Sequence, residues 1–304
     1  MARPTVLALD FGGTKIAAAL ADLDGRRLAE TTIPTVPDHG AEWNFERGLD
    51  AARELVSAEG ADVAVVCTST FGIPASTGVG LAPAIQGWES LALGEELERA
   101  FPDAAVQLVT DVKAAASAEA ARGALRGYDP AIYLNLGTGL AVGIVCGGRV
   151  VVGANGAAGE IGYSLRAGKP GQLEDAASGI ALAAGARRVA GVELSAADVF
   201  ASDDPRLAEL VDEFVVELTF HLVNLSIALD PARIAVGGGM VRSWDRLEGP
   251  LRGALDAHVP FPPELVVGRF PFDAALVGAI NIAVEAASNI VDKRSRSGRG
   301  RSRA

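Results

Sequence analysis

The residues best suited to chemistry in this chain lie at the ends of short apolar runs. Asp10 closes the run VLALD and leads into a glycine turn carrying Gly12, Gly13, Thr14 and Lys15. Bare backbone N–H groups in such a turn form a concavity that attracts phosphate. Thr14 adds a hydroxyl and Lys15 a positive charge, while Asp10 has the oxygen chemistry to orient a magnesium ion through water. A second turn, LGTGL, repeats the device with Gly137, Thr138 and Gly139. A third glycine cluster, Gly237, Gly238 and Gly239, follows another apolar run, where bare backbone would let an adenine lie flat. Thr110 and Asp111 end the run AVQLVT and open an Ala-rich stretch. A carboxylate so placed is either a helix N-cap or a rigidly held general base kept ionised by the helix dipole. No GxxxxGK[ST] is present, so the P-loop route to ATP is excluded. No GxGxxG opens a helix, which argues against a dinucleotide-binding domain. Nucleotide binding between two lobes is the account that remains.

These turns need elements to carry them. Residues 6–28 and 132–151 read alike: an apolar strand, a Gly/Thr turn, a second apolar strand, a glycine turn and a third strand begun by Arg. Two such hairpins predict a duplicated domain with one glycine turn from each half. Helical spacing is predicted over 41–58, 90–101, 111–125, 175–190, 204–230, 242–258 and 275–291. Buried strands are predicted over 61–68, 105–110 and 233–236, and a loop rich in Gly, Pro and Ser over 69–87. Strands alternating with helices predict an α/β protein with mainly parallel sheets.

At 304 residues the chain is long enough for two domains sharing a cleft. It is 49% hydrophobic and 21% charged but only 5% aromatic, which predicts a globular core of small, closely packed aliphatics. The net charge is −11, and the last twelve residues carry six positive charges and no acids, which leaves residues 1–292 at −17. So acidic a body repels nucleic acid and anionic lipid, and neither is expected as a partner. The basic tail, 293–304, is expected to be disordered surface. Cys67 and Cys146 lie in apolar runs and are expected to be buried thiols, in keeping with a cytoplasmic protein. The opening apolar run is too short for a signal peptide. No run approaches the roughly 20 apolar residues of a membrane helix.

The motifs DFGGTK (10–15), TDVKAAA (110–116), LGTG (136–139), GAAGEIGY (156–163), GQLE (171–174) and LDPARIAVGGG (229–239) occur in an order and at separations that are highly specific. Together they resemble the ROK family of sugar kinases and sugar-responsive repressors, from residue 6 to about 287. The resemblance implies an α/β actin-like ATPase fold, a duplicated RNase H-like unit, with two lobes and a central cleft. A small lobe, 1–112, would be completed by a returning helix, 275–292, and a larger lobe would span 113–274. The resemblance further implies ATP with Mg²⁺, a sugar substrate and a homodimer. By it Asp111 is the base that takes the proton of a sugar hydroxyl, at the 6-position. Glu160 and Glu174 match the family's sugar-binding carboxylates. Thr110 and Tyr163 stand where relatives carry a sugar-contacting Asn and His.

Most relatives hold a structural zinc with that His and three cysteines of CxCGxxGC. Here Tyr163 and the stretch AGKPGQLE, with Gln172 where the last cysteine falls, supply no set of four ligands. No zinc is expected, and packing and hydrogen bonds must hold the loop. The replacements at Thr110 and Tyr163 alter hydrogen bonding around the ring, so glucose is joined as a candidate by an aminohexose such as kanosamine or N-acetylmannosamine. A polyphosphate-dependent glucose kinase would call for a basic groove, unlike this acidic body. A non-catalytic sugar-sensing regulator would carry a DNA-binding segment ahead of the first strand, where only five residues stand. His39, His221 and His258 fit no metal or triad spacing, and His221 is expected to pack in the core with Phe214, Leu218 and Leu225. Trp88 is expected either to pack a lid or to offer a stacking surface near the sugar.

Overall fold

A computed structural model describes residues 4–82 and 84–300, with the backbone alone for 291–300. The chain divides into two compact units, Met1–Ala118 with Ala275–Ala304, and Glu119–Ala274. The break falls inside a helix, after Ala118, where the sequence reading set it at 112.

The first unit opens with β1 (Pro4–Phe11), β2 (Lys15–Ala21) and β3 (Arg27–Pro34), followed by α1 (Gly40–Glu59) and β4 (Asp62–Thr70). The segment expected as a loop over 69–87 instead holds a small hairpin, β5 (Ile73–Ala75) and β6 (Gly78–Gly80), paired antiparallel. It needs only a two-residue turn at Ser76 and Thr77, too short to leave a periodic signal. Then come α2 (Leu93–Ala100), β7 (Ala105–Thr110) and α3 (Asp111–Arg122). The sheet order is β3-β2-β1-β4-β7, antiparallel through the hairpins and parallel across β1, β4 and β7. Both faces of β1 are covered, which is why it reads as an unbroken apolar run.

The second unit starts with β8 (Ala131–Leu136), β9 (Leu140–Cys146) and β10 (Arg149–Val150). It continues through α4 (Gly179–Ala190), α5 (Ala196–Ala201), α6 (Pro205–Leu229), β11 (Arg233–Gly237), α7 (Trp244–His258) and β12 (Glu264–Val267). Its sheet order, β10-β9-β8-β11-β12, has the same sense as the first: a three-strand antiparallel meander, then two parallel strands. The duplication seen in the two hairpins thus extends to whole sheets. The sequence reading passed over α5, although Ser195 and Asp198 form a reciprocal capping box at its start. It also passed over β12, whose four residues are too few to show a period.

Helix α8 (Ala274–Gly300) returns to the first unit and lays Leu276, Ala279, Ile280 and Ala283 on an alanine-rich sheet face built from Ala8, Ala17 and Ala19. The scarcity of large side chains noted in the composition is what allows this close approach. On the other face Leu7, Leu9 and Phe11 pack with Phe45, Trp88, Leu93 and Leu97. The helix runs to Gly300 rather than stopping near 292, since the Lys, Arg and Ser residues there tolerate helical geometry. Of the expected basic tail, residues 301–304 lie outside the described residues. Cys67 is buried and its thiol is pushed up to about 12 by burial, but Cys146 is exposed. The expectation of two buried thiols fails for Cys146 because it is the last residue of β9, paired with the short edge strand β10 beside the Gly147–Gly148 turn. Among the described residues no helix is long and apolar enough to cross a membrane.

A buried carboxylate braces the start of the second unit. Glu119 is fully buried, and its Oε2 and Oε1 accept the backbone N–H groups of Ala124 (2.6 Å) and Phe270 (2.8 Å). Gly268 makes room, because a Cβ there would stand 2.7 Å from Oε1. Glu119→Ala leaves both donors unmatched and should destabilise the protein by on the order of 3 kcal/mol. Urea unfolding with an unchanged m-value would register the loss.

Candidate active site

In the first unit the candidate groups sit at the carboxyl ends of three adjacent parallel strands, where open α/β sheets bind ligands. Asp10 lies opposite Ser69 in the β1–β4 register, and Thr70 lies opposite Thr110 in the β4–β7 register. One strand therefore separates Asp10 from Thr110, a spacing of about 10 Å. Asp10 is buried, and its Oδ1 accepts the Ser69 hydroxyl at 2.6 Å. The hairpin turn is closed by Gly12 N–H donating to the Lys15 carbonyl at 2.9 Å. Thr35 clasps it from outside: its hydroxyl donates to the Gly12 carbonyl (2.7 Å) and its N–H to the Thr14 carbonyl (3.1 Å). A Cβ on Gly13 would meet nothing within 4 Å, so that stretch of backbone borders open space. Thr14 is exposed and Lys15 half-buried.

Asp111 is half-buried on the first turn of α3, and its Oδ1 accepts the Val112 N–H at 2.7 Å. The capping role weighed for it belongs to Thr110, whose buried hydroxyl accepts the Lys113 N–H at 3.3 Å. Lys113, also buried, brings its Nζ to the same hydroxyl at 3.4 Å. Thr35, Ser69 and Lys113 escaped the sequence reading. Only Lys113 left a trace, as a lone charge inside the alanine run of TDVKAAA. Trp88 is fully buried in tilted ring contact with Phe11 and Phe71, with its Nε1–H on the Thr70 hydroxyl at 2.9 Å. It is a core residue rather than a stacking surface.

In the second unit three motifs converge on Glu174. Its Oε1 accepts the Leu140 N–H at 2.7 Å, just beyond the Gly137–Thr138–Gly139 turn. A Cβ on Gly139 would stand 2.5 Å from that oxygen, and one on Gly162 would stand 3.2 Å from the Glu174 Cβ. The Glu174 carbonyl accepts the Ser178 hydroxyl at 2.7 Å, and Ser178 caps α4. The first N–H groups of α4, on Gly179 and Ile180, donate to the carbonyls of Gly137 (3.0 Å) and Thr138 (3.2 Å). Glu160 and Tyr163 lie on one 3-10 turn, with the Tyr163 N–H donating to the Glu160 carbonyl at 3.2 Å. Glu160 is half-buried and Tyr163 is 41% exposed.

The three glycines after β11 are not equivalent. Gly237 is buried against the Tyr133 ring, and Gly238, at φ +89, donates its N–H to the Pro271 carbonyl at 3.1 Å. Only Gly239 is exposed. Beside it the Arg242 guanidinium lies over the half-exposed Phe272 ring at 4.6 Å, a flat surface the sequence reading did not single out.

The loop between Tyr163 and Leu173, where no zinc was expected, is held by charge. Arg166 Nη2 meets Glu213 Oε1 at 2.6 Å and Glu217 Oε1 at 3.1 Å, and Lys169 Nζ meets the same oxygens at 3.2 and 3.0 Å. Both glutamates lie on α6. Among the described residues no group of three or more His, Cys, Asp or Glu could hold a metal ion. His221, one turn beyond Glu217, is half-buried at the margin of the core rather than inside it, against Phe220.

The ROK family model matches residues 6–285. A bifunctional enzyme NanE/NanK of Brucella melitensis is 32% identical over 290 residues, covering 91% of this chain and 54% of that one. The chain thus spans about half the length of that relative. An N-acetylmannosamine kinase of Salmonella heidelberg is 29% identical, covering 92% of this chain and 98% of that one. A crystal structure of a ROK family glucokinase from Streptomyces griseus in complex with glucose and AMPPNP superposes with a TM-score of 0.76 at 27% identity, covering 92% of this chain and 99% of that one. The chain belongs to the ROK family and has the actin-like ATPase fold of its sugar kinases.

The charged cluster makes acid stability testable. Hydrogen bonds from Arg166 and Lys169 hold Glu213 below the usual carboxylate range. For Glu217 burial works the other way, but the same two partners outweigh it and its value is also lowered. A depressed folded-state value means stability that is fully present above about pH 4.3 and lost as pH falls through the lower folded-state value. The stability difference between wild type and Arg166→Met should therefore be largest near neutrality and shrink as the pH falls through the lowered folded-state values. Urea unfolding of both proteins across that range measures it.

Proposed function

We propose that the chain is an ATP-dependent sugar kinase that transfers the γ-phosphoryl group to the 6-hydroxyl of a hexose or aminohexose. The observation that carries this is the Asp111 carboxylate, fixed at the junction of β7 and α3 by the Val112 N–H. The first turn of a helix favours its ionised form. In this reading Asp111 accepts the proton of the sugar hydroxyl as oxygen attacks phosphorus. Thr110, with its hydroxyl engaged by Lys113, keeps the strand-to-helix junction rigid.

In the two glycine turns the N–H groups of Gly12 and Gly137 close the turns, and those of Gly13 and Thr14 and of Thr138 and Gly139 are the ones suited to phosphate oxygens, with Lys15 adding charge. Gly239, with the Arg242–Phe272 surface beside it, is suited to the adenine. Magnesium, when bound with the triphosphate, supplies positive charge at the phosphate oxygens. Asp10, a buried oxygen donor held by Ser69, has the chemistry to orient it. On the sugar side Glu160 and Glu174 accept hydrogen bonds from ring hydroxyls, with Tyr163 supplying a phenol. An aminohexose remains alongside glucose because a phenol replaces an imidazole at Tyr163, and because one relative is an N-acetylmannosamine kinase. We place the enzyme in the cytoplasm and expect it to work as a homodimer.

A coupled ADP-release assay over glucose, mannose, N-acetylmannosamine and kanosamine tests the reading. One of these sugars should turn over with ATP, and Asp111→Asn should lower kcat by about 10³-fold with little change in sugar KM. No turnover with any sugar, or full activity in the variant, sinks it.

A further inference from the structure

The geometry points to Arg166 as a positioning residue that sets Glu174, and through it the second glycine turn, from a distance. The covalent path is short. Residues 164–173 form a closed excursion whose neck is pinned by Leu173 N–H donating to the Ser164 carbonyl at 2.8 Å, with Leu165 and Gln172 bridged beside it. Glu174 is the first residue beyond the neck. The excursion has no regular structure of its own, and its tip is exposed. What ties it down is the pair of basic side chains it sends to Glu213 and Glu217, one helical turn apart on α6.

The quality of these contacts argues for positioning. The Arg166 side chain is only 10% exposed and Glu217 only 7%, so solvent screens their pair little. The Arg166 Nε is buried without a hydrogen-bond partner, a cost the arrangement accepts. Buried ion pairs contribute little net stability once desolvation is counted, and their best-attested use is to fix one geometry among several. The single geometry fixed here ends in the 2.7 Å contact between Glu174 Oε1 and the Leu140 N–H. Leu140 follows Gly139 directly, so a shift of the excursion reaches the Gly137–Thr138–Gly139 turn through that one oxygen. The second contact on this path, the Glu174 carbonyl on Ser178, carries the shift to the start of α4 as well.

The test reads the Leu140 amide itself. Hydrogen exchange is followed in Arg166→Met and in the milder Lys169→Met, whose side chain is 44% exposed in the wild type. With cooperative unfolding retained, Leu140 exchange should quicken by about tenfold in Arg166→Met and by less in Lys169→Met, and Arg166→Lys should restore part of the protection. Exchange along β1 should not change. Sugar KM should rise by about tenfold in Arg166→Met, more than kcat falls, a split that general loss of stability does not produce. Unchanged Leu140 exchange in folded Lys169→Met and Arg166→Met overturns the inference, as does acceleration spread evenly over both units. The kinetic readout rests on the proposed sugar-kinase function, whereas the exchange readout does not. A chain that phosphorylates nothing would end that proposal and still leave Leu140 exchange to decide this one.

Discussion

One oxygen atom of Glu174 does for the second unit what no single backbone bond could. The turn after β8 is closed by the Gly137 N–H on the Gly139 carbonyl at 3.1 Å, which leaves the Leu140 N–H to find its partner in a side chain. Glu174 accepts the Leu140 N–H from the side, and the two N–H groups at the start of α4 donate to the turn carbonyls. Each contact needs the others. The carboxylate fits only because Gly139 and Gly162 carry no Cβ, and α4 points at the turn only because Ser178 hangs from the Glu174 carbonyl. A charge is an expensive way to hold a turn. It is justified where the turn must stay open on its other side.

The first unit meets the same demand with different residues. Its sheet has the same strand order and sense, yet its glycine turn is clasped by the hydroxyl and N–H of Thr35, a residue just past β3. The carboxylate at the end of β1, Asp10, stands where β8 has Asn135, and its Oδ1 accepts the Ser69 hydroxyl. Duplicated topology thus preserves the problem of an open turn without preserving its solution. That difference gives the two turns distinct electrostatic surroundings. One is braced by neutral groups next to Lys15, the other by an anion beneath it.

Much of this was legible from sequence because the repeated unit is local. An apolar strand, a glycine turn and a second strand can be read in twenty residues, and the sheets followed from the alternation of such runs with helices. Asp10 could be named for the same reason, whereas the roles expected of Asp111, Glu160 and Glu174 came from the resemblance of their motifs to the ROK family. What could not be read is side-chain-to-backbone bonding over long separations, such as Glu119 to Phe270 or Arg166 to α6. Those depend on the register of packed elements, and residue type leaves them open. Cys146 misled because a strand's last residue shares its apolar neighbours but not their burial. Trp88 was left open between packing and a stacking surface, and the choice needed the tertiary neighbours Phe11, Phe71 and Thr70 that enclose it.

The glycines show how far a motif can be trusted. In the run after β11 three identical letters perform three tasks: Gly237 makes room for the Tyr133 ring, Gly238 takes a left-handed backbone to reach Pro271, and Gly239 alone presents bare backbone to solvent. A substitution at either of the first two would act through packing or backbone strain before any ligand was involved. At Gly239 a Cβ would approach nothing nearer than the Arg242 guanidinium, at 4.0 Å. An alanine there is tolerable to the fold and changes only what can lie against it. The same distinction separates Gly12, whose Cβ would press on the Lys15 carbonyl at 3.0 Å, from Gly13, which borders open space. Within each motif the glycine that the fold can spare is therefore the one whose absence of side chain calls for a ligand to explain it.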